Sequence, residues 1–193
     1  MSVTKPDLPV VSFADRAGWA EWLEANHATS AGVWLKLARK TAGVPSVTAA
    51  EALEVALCYG WIDGQAAPVD DSRWLQRYTR RTARSKWSRR NREAALRLIA
   101  SGEMRPAGLA KVRAAQADGR WEAAYEPSSS MTVPGDLQAA LDGQPAAQHA
   151  FQELSRANRY AILYRIHDAK KPETRARRIE KYVAMLAKGE RIY

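Results

Sequence analysis

The chain of 193 residues contains one cysteine, Cys58, three histidines and two phenylalanines. A single thiol can form no disulfide within the chain and no thiolate cage for zinc. His27, His149 and His167 lie far apart, and none stands in an HxxxH spacing. No metal and no cofactor is therefore expected. No apolar run reaches the roughly 20 residues of a membrane span. Lys5 and Asp7 interrupt the start, where a signal peptide would need an apolar core. These absences argue against membrane insertion and make the cytoplasm the expected address. No G-x-S-x-G, P-loop or dinucleotide fingerprint occurs either. His167 and Asp168 are adjacent, so on a helix they point about 100° apart and cannot form a dyad. Cys58 follows Leu57 in a helical stretch with no neighbouring histidine to make a thiolate, and reads as a partly buried, unreactive thiol. No catalytic residue is assigned.

Acid is what is missing from the stretch "RYTRRTARSKWSRRN", Arg77–Asn91, which holds seven bases and two aromatics, Tyr78 and Trp87. With Arg92 the bases number eight, and they nearly account for the net charge of +9. The basic character is thus local, which points to a positive patch rather than a diffuse property.

Seven tryptophans are present, all between Trp19 and Trp121. Where they cease lies "EPSSSMTVPG", Glu126–Gly135, with the Pro, Ser and Gly content of a linker. The expected organisation is a Trp-rich domain over 1–125, a linker over 126–136 and a helical module over 137–193.

In the first domain, "PVVSF" reads as an edge strand. Asp15 can cap a helix with Trp19, Trp22 and Leu23 inward. "GVWLKLARK" alternates as a half-buried strand. "TAAE", Thr48–Glu51, is a capping box that opens a helix. "GWIDG" reads as a short strand running into a turn, and "RWLQRYTRR" as another strand. Ser88 can cap a helix over 89–101, and Pro106 suits the first turn of the next, which stops at Gly119. The fold class is α+β, a small antiparallel sheet with packed helices, followed by the helical module. There "PETRARRIEKYVAMLAKG" carries Ile179, Tyr182, Val183 and Leu186 as an amphipathic stripe.

Two arrangements could carry binding chemistry. In "CYGWIDGQ", Asp63 beside Trp61 could accept a bidentate hydrogen bond from Arg77 or Arg81 if the strands pair. At the basic stretch, Arg77, Arg81 and Lys86 could hold an anion with Trp87 as a stacking surface and Asn91 at the helix start. The bland alternatives are a salt bridge pinning a turn, and arginine stems lying over tryptophan faces with their heads in water.

The stretches "EALEVALCYGWIDGQ", "RYTRRTARSKWSRRN", "LIASGEMRPAGLAKVRAAQADGRW" and "AKKPETRARRIEKYVAMLAKG" together resemble the YdeI/OmpD-associated family, also labelled bacteriocin-protection proteins. The resemblance covers most of the chain beyond about residue 13. Where that family usually has proline in the basic strand, this chain has Arg80, which restores a backbone donor. The resemblance implies a separate C-terminal helical module and a part in resistance to envelope-directed stress, such as bacteriocins or antimicrobial peptides. It carries over no catalytic residues. The expected function is therefore a non-enzymatic stress-resistance protein that binds a small anionic ligand or a protein partner. Its expected site is Trp61, Asp63, Arg77, Arg81, Lys86, Trp87 and Asn91. A nucleic-acid-binding protein using the 77–92 patch is the alternative, and an enzyme acting on a small anionic substrate comes third.

Overall fold

A computed structural model describes residues 8–127 and 130–193. Lys5 and Asp7 at the start, and Ser128 and Ser129 of the linker stretch, lie outside the described residues. The chain divides into two compact units. One runs to Trp87 and resumes over Asn91–Ala123, and the other comprises Ser88–Arg90 and Ala124–Tyr193.

The first unit opens with β1 (Val10–Val11), α1 (Arg16–Asn26), β2 (Gly32–Ala38) and α2 (Ala49–Cys58). It continues with β3 (Trp61–Pro68), β4 (Arg73–Arg80), α3 (Arg89–Ala100) and α4 (Pro106–Ala117). Local chemistry sets several boundaries. The Asp15 carboxylate accepts the Gly18 N–H at 2.9 Å to cap α1. Thr48 and Glu51 form the reciprocal capping box on α2, and Pro106 occupies the first turn of α4.

The four strands stand in the order β1-β2-β4-β3. The sheet is mixed and not antiparallel throughout: β1 runs parallel to β2, while β2–β4 and β3–β4 are antiparallel. α1 lies between β1 and β2 in the chain and provides the crossover that a parallel pair requires. β3 is also longer than the expected "WID" strand. It continues through a register shift between Asp63 and Ala66 and ends at Pro68. The Gln76 amide donates to the Gly64 and Gln65 carbonyls at 2.9 and 3.2 Å, satisfying the backbone that the irregularity leaves without ladder partners.

Alternation sorts the sheet. Val33, Leu35, Leu37, Trp61, Gln76 and Tyr78 face inward and are buried. The Trp19 ring of α1 packs against Tyr78 at 5.5 Å and stacks on Trp22 at 5.4 Å. A buried indole must place its N–H. Trp19 donates to the Ala52 carbonyl at 3.0 Å, and Trp61 donates to the His27 carbonyl at 3.1 Å. Trp19 and Trp61 are therefore core, wired to neighbouring backbone. α2 and α4 touch through Gly108, where a Cβ would lie 2.3 Å from the Cys58 carbonyl oxygen.

The second unit contains α5 (Gly135–Asp142), α6 (Pro145–Gln152), α7 (Arg156–His167) and α8 (Pro172–Ala187). Leu137, Leu141, Phe151, Ile162, Ile166 and Leu186 form the centre of its core. Ile179 and Tyr182 of the expected stripe are buried there, whereas Val183 is only half-buried. Asn158 is buried and grips an extended segment, accepting the Ile192 and Tyr193 N–H groups at 3.1 and 3.0 Å.

Candidate functional site

β4 ends at Arg80, and a short turn through Thr82–Ser85 carries the chain to Trp87. Arg81 is only 3% exposed. Its guanidinium carbon lies 3.7 Å from the centre of the Trp87 ring, and its Nη1 donates to the Lys86 carbonyl at 3.1 Å. Trp87 meets Trp121 edge-on at 4.8 Å. Arg120 braces the same turn from outside, donating to the Ser85 carbonyl at 2.9 Å while it pairs with Asp118. The corner is thus a packed knot of two indoles and two guanidinium groups.

Much of the positive charge here is engaged within the protein. Arg80 donates to the Ala28 carbonyl at 2.9 Å, and Arg92 to the Trp121 carbonyl at 3.2 Å. Within the second unit, Arg89 pairs with Glu126 at 3.1 Å. Guanidinium groups bonded to main-chain carbonyls keep their charge but are fixed in direction. Arg84 and Lys86 point outward as exposed side chains.

The seven expected site residues are not brought to one place. Arg81, Lys86 and Trp87 meet at the corner, and Asn91 is buried in the first turn of α3. Trp61 is fully buried in the core. Asp63 is exposed on β3 opposite Tyr78, and among the described residues it pairs with neither Arg77 nor Arg81. Arg77 lies on the other side of the sheet, opposite Trp34. One atom at the corner stands out: Trp87 Nε1 is buried with no hydrogen-bond partner among the described residues.

Cys58 is buried, and desolvation, reinforced by the Glu103 carboxylate, pushes its thiol up to about 11. It is protonated at neutral pH and is not a nucleophile there.

A second concavity escapes the sequence pattern. In the second unit, a groove of about 690 Å³ runs between α5 and α8. Ala140, Ala176, Ile179, Val183 and Ala184 line it, with Asp136, Arg175 and Glu180 at its rim. Arg175 reaches across to Asp136, donating from Nη2 at 2.8 Å, and this partner holds the Asp136 carboxyl below the usual carboxylate range. The alanines leave the space that larger side chains would fill. Periodicity alone could not reveal the groove, because Ala176 and Ala184 sit on the flank of the α8 stripe and, like Ala140 on α5, carry no strong hydrophobic signal.

Residues 11–111 match the family described as Domain of unknown function (DUF8412), over half of the chain. Residues 130–189 match the family described as Bacteriocin-protection, YdeI or OmpD-Associated. The second match is narrower than the sequence resemblance, since the basic stretch falls within the first. No curated protein and no solved structure matches the chain. No helix among the described residues is long and apolar enough to cross a membrane. The chain belongs to the DUF8412 family and carries at its C-terminal end a module of the bacteriocin-protection, YdeI or OmpD-associated type.

Proposed function

We propose that the protein works as a bacteriocin-protection-type binding protein whose C-terminal module takes the apolar face of a peptide helix into the α5–α8 groove. One observation carries this reading. The groove, about 690 Å³ with an apolar floor, lies wholly within the residues that match the bacteriocin-protection family. Its size is that of a ligand pocket, which is about 300–1,000 Å³. Grooves between helices accept an amphipathic helix through anchors one and two turns apart. The test is calorimetric titration of the full chain with a synthetic amphipathic helical peptide. Saturable binding is expected, weakened about tenfold or more by Ala176→Arg or Ala140→Arg, with the circular dichroism spectrum unchanged. Equal affinity in both variants refutes the reading.

A second reading rests on Trp87 Nε1, the buried donor without a partner at the basic corner. A buried N–H left unmade costs about 1–3 kcal/mol, and an anion or carbonyl oxygen from a ligand would satisfy it. Arg81 and Lys86 would be the cations nearest such a ligand. Titration with inorganic phosphate and polyphosphate, comparing the parent with Trp87→Phe, examines this. Loss of binding in Trp87→Phe with an unchanged circular dichroism spectrum supports the corner site, and no binding by the parent removes it.

A further inference from the structure

The segment that joins β2 to α2 builds a separate concavity in the first unit. β2 ends at Ala38, and Lys40–Ala42 form a 3-10 turn. Gly43, left-handed at φ 63°, closes that turn as glycine readily can. The returning chain is tied to the strand end, because the Ser46 hydroxyl accepts the Ala38 N–H at 3.1 Å. On the other side the Arg39 N–H donates to the Ser72 carbonyl at 2.8 Å. Between these ties lies a pocket of about 620 Å³, bordered by Arg39, Lys40, Thr41, Val44, Val47 and Trp74. Arg39, Lys40 and Thr41 are exposed, and Trp74 is half-buried. Among the described residues, the Arg39 and Lys40 side chains form no ion pair, and the Trp74 indole N–H has no hydrogen-bond partner. No acid stands among the described residues that line the pocket. Two acids of the neighbouring turns are engaged locally. Glu51 accepts the Thr48 N–H at 2.9 Å and its hydroxyl at 2.7 Å, and so already serves the first turn of α2. Asp70 accepts the Ser72 and Arg73 N–H groups at 2.7 and 2.8 Å. Asp71 is exposed and pairs with neither Arg39 nor Lys40.

We propose that this pocket binds a mononucleotide, with the base against the Trp74 indole and the phosphate monoester between Arg39 and Lys40. Two adjacent cations match a phosphate monoester, which carries about −1.5 to −2 at pH 7, better than they match a singly charged carboxylate. The planar Arg39 guanidinium can donate to two phosphate oxygens at once. An indole offers a flat surface on which any base can stack. Leu37 stands opposite Trp74, so Arg39 begins two residues farther along the strand, about 7 Å. One ligand can therefore meet the indole at one end and the cations at the other. The volume is that of a small-molecule site, about 300–1,000 Å³. The pocket shares no residue with the α5–α8 groove or with the Trp87 corner.

The test is calorimetric titration of the full chain with adenosine monophosphate at low salt, alongside adenosine and inorganic phosphate. Saturable binding of the nucleotide is expected, with the nucleoside and the free phosphate each weaker by about tenfold or more. The double variant Arg39→Gln/Lys40→Gln should weaken nucleotide binding by about tenfold or more. Lys170→Gln/Lys188→Gln, which removes the same charge from the second unit, should change it by less than about twofold. Trp74→Leu should weaken it, and Trp74→Phe should keep most of it. All four charge changes lie on exposed side chains, so circular dichroism should report an unchanged fold. The proposal is overturned if the parent fails to bind the nucleotide at low salt, or if the Arg39/Lys40 variant binds it as the parent does. It is equally overturned if adenosine binds as tightly, which removes the phosphate contact, or if inorganic phosphate does, which removes the stacking contact.

Discussion

Arg175 grips both carboxylate oxygens of Asp136, and so ties α8 to α5 across one end of the groove. The tie pre-shapes the concavity, because it fixes the spacing of the two helices that form its walls.

Removing that tie should loosen the module. A folded-state pKa held below the ordinary aspartate value means that the pair's contribution is fully present above about pH 4 and is lost as pH falls through the depressed value. Both side chains are partly exposed, which limits the pair to about 0–1 kcal/mol. Asp136→Asn should therefore lower the urea midpoint slightly at pH 7 and leave it unchanged near pH 2. An equal loss at both pH values would show that the carboxylate charge is not what matters.

Gly108 should tolerate no side chain. A Cβ there meets the Cys58 and Leu57 carbonyl oxygens at 2.3 and 2.6 Å, and both are backbone atoms that cannot rotate away. Gly108→Ala should destabilise the first unit by about 1–3 kcal/mol through forced separation of α2 and α4. Chemical denaturation measures it, and a neutral result would mean that the helices can part freely.

Arg81 is predicted to act through shape as much as through charge. Its planar guanidinium covers the Trp87 ring while bonding the Lys86 carbonyl. Arg81→Lys keeps the charge but loses the flat stack, so it should recover little of the stability that Arg81→Ala loses, about 1–3 kcal/mol. Full recovery by lysine would assign the role to charge alone.

Cys58 should be slow to react in the native state. Burial raises its thiol to about 11, leaving very little thiolate at pH 8. Disulfide-exchange reagents should modify it only after urea unfolding. Rapid native labelling would show that the α2–α4 contact opens readily.

The two units differ in what could be read beforehand. Helix ends marked by Asp15, Thr48–Glu51 and Pro106 are found where those residues predict them. The inward faces of β2 and β4 follow from their alternation. The candidate site was far less legible. Trp61 looked like a binding residue beside an acid, yet it is core because His27 supplies its indole with an acceptor. The basic stretch looked like one patch, yet its cations go in several directions.

The linear order of residues by itself determined the capping, the helix spans, the strand alternation and the concentration of positive charge near one point of the chain. Each of these depends on groups within a few positions of one another, so local chemistry suffices. Tertiary structure alone decided that β1 runs parallel, that alanines on α5 and α8 leave a groove, and which cations turn inward. Arg80 finds its acceptor 52 positions away and Arg92 finds one 29 away. Where a guanidinium ends is set by which carbonyls folding brings within reach.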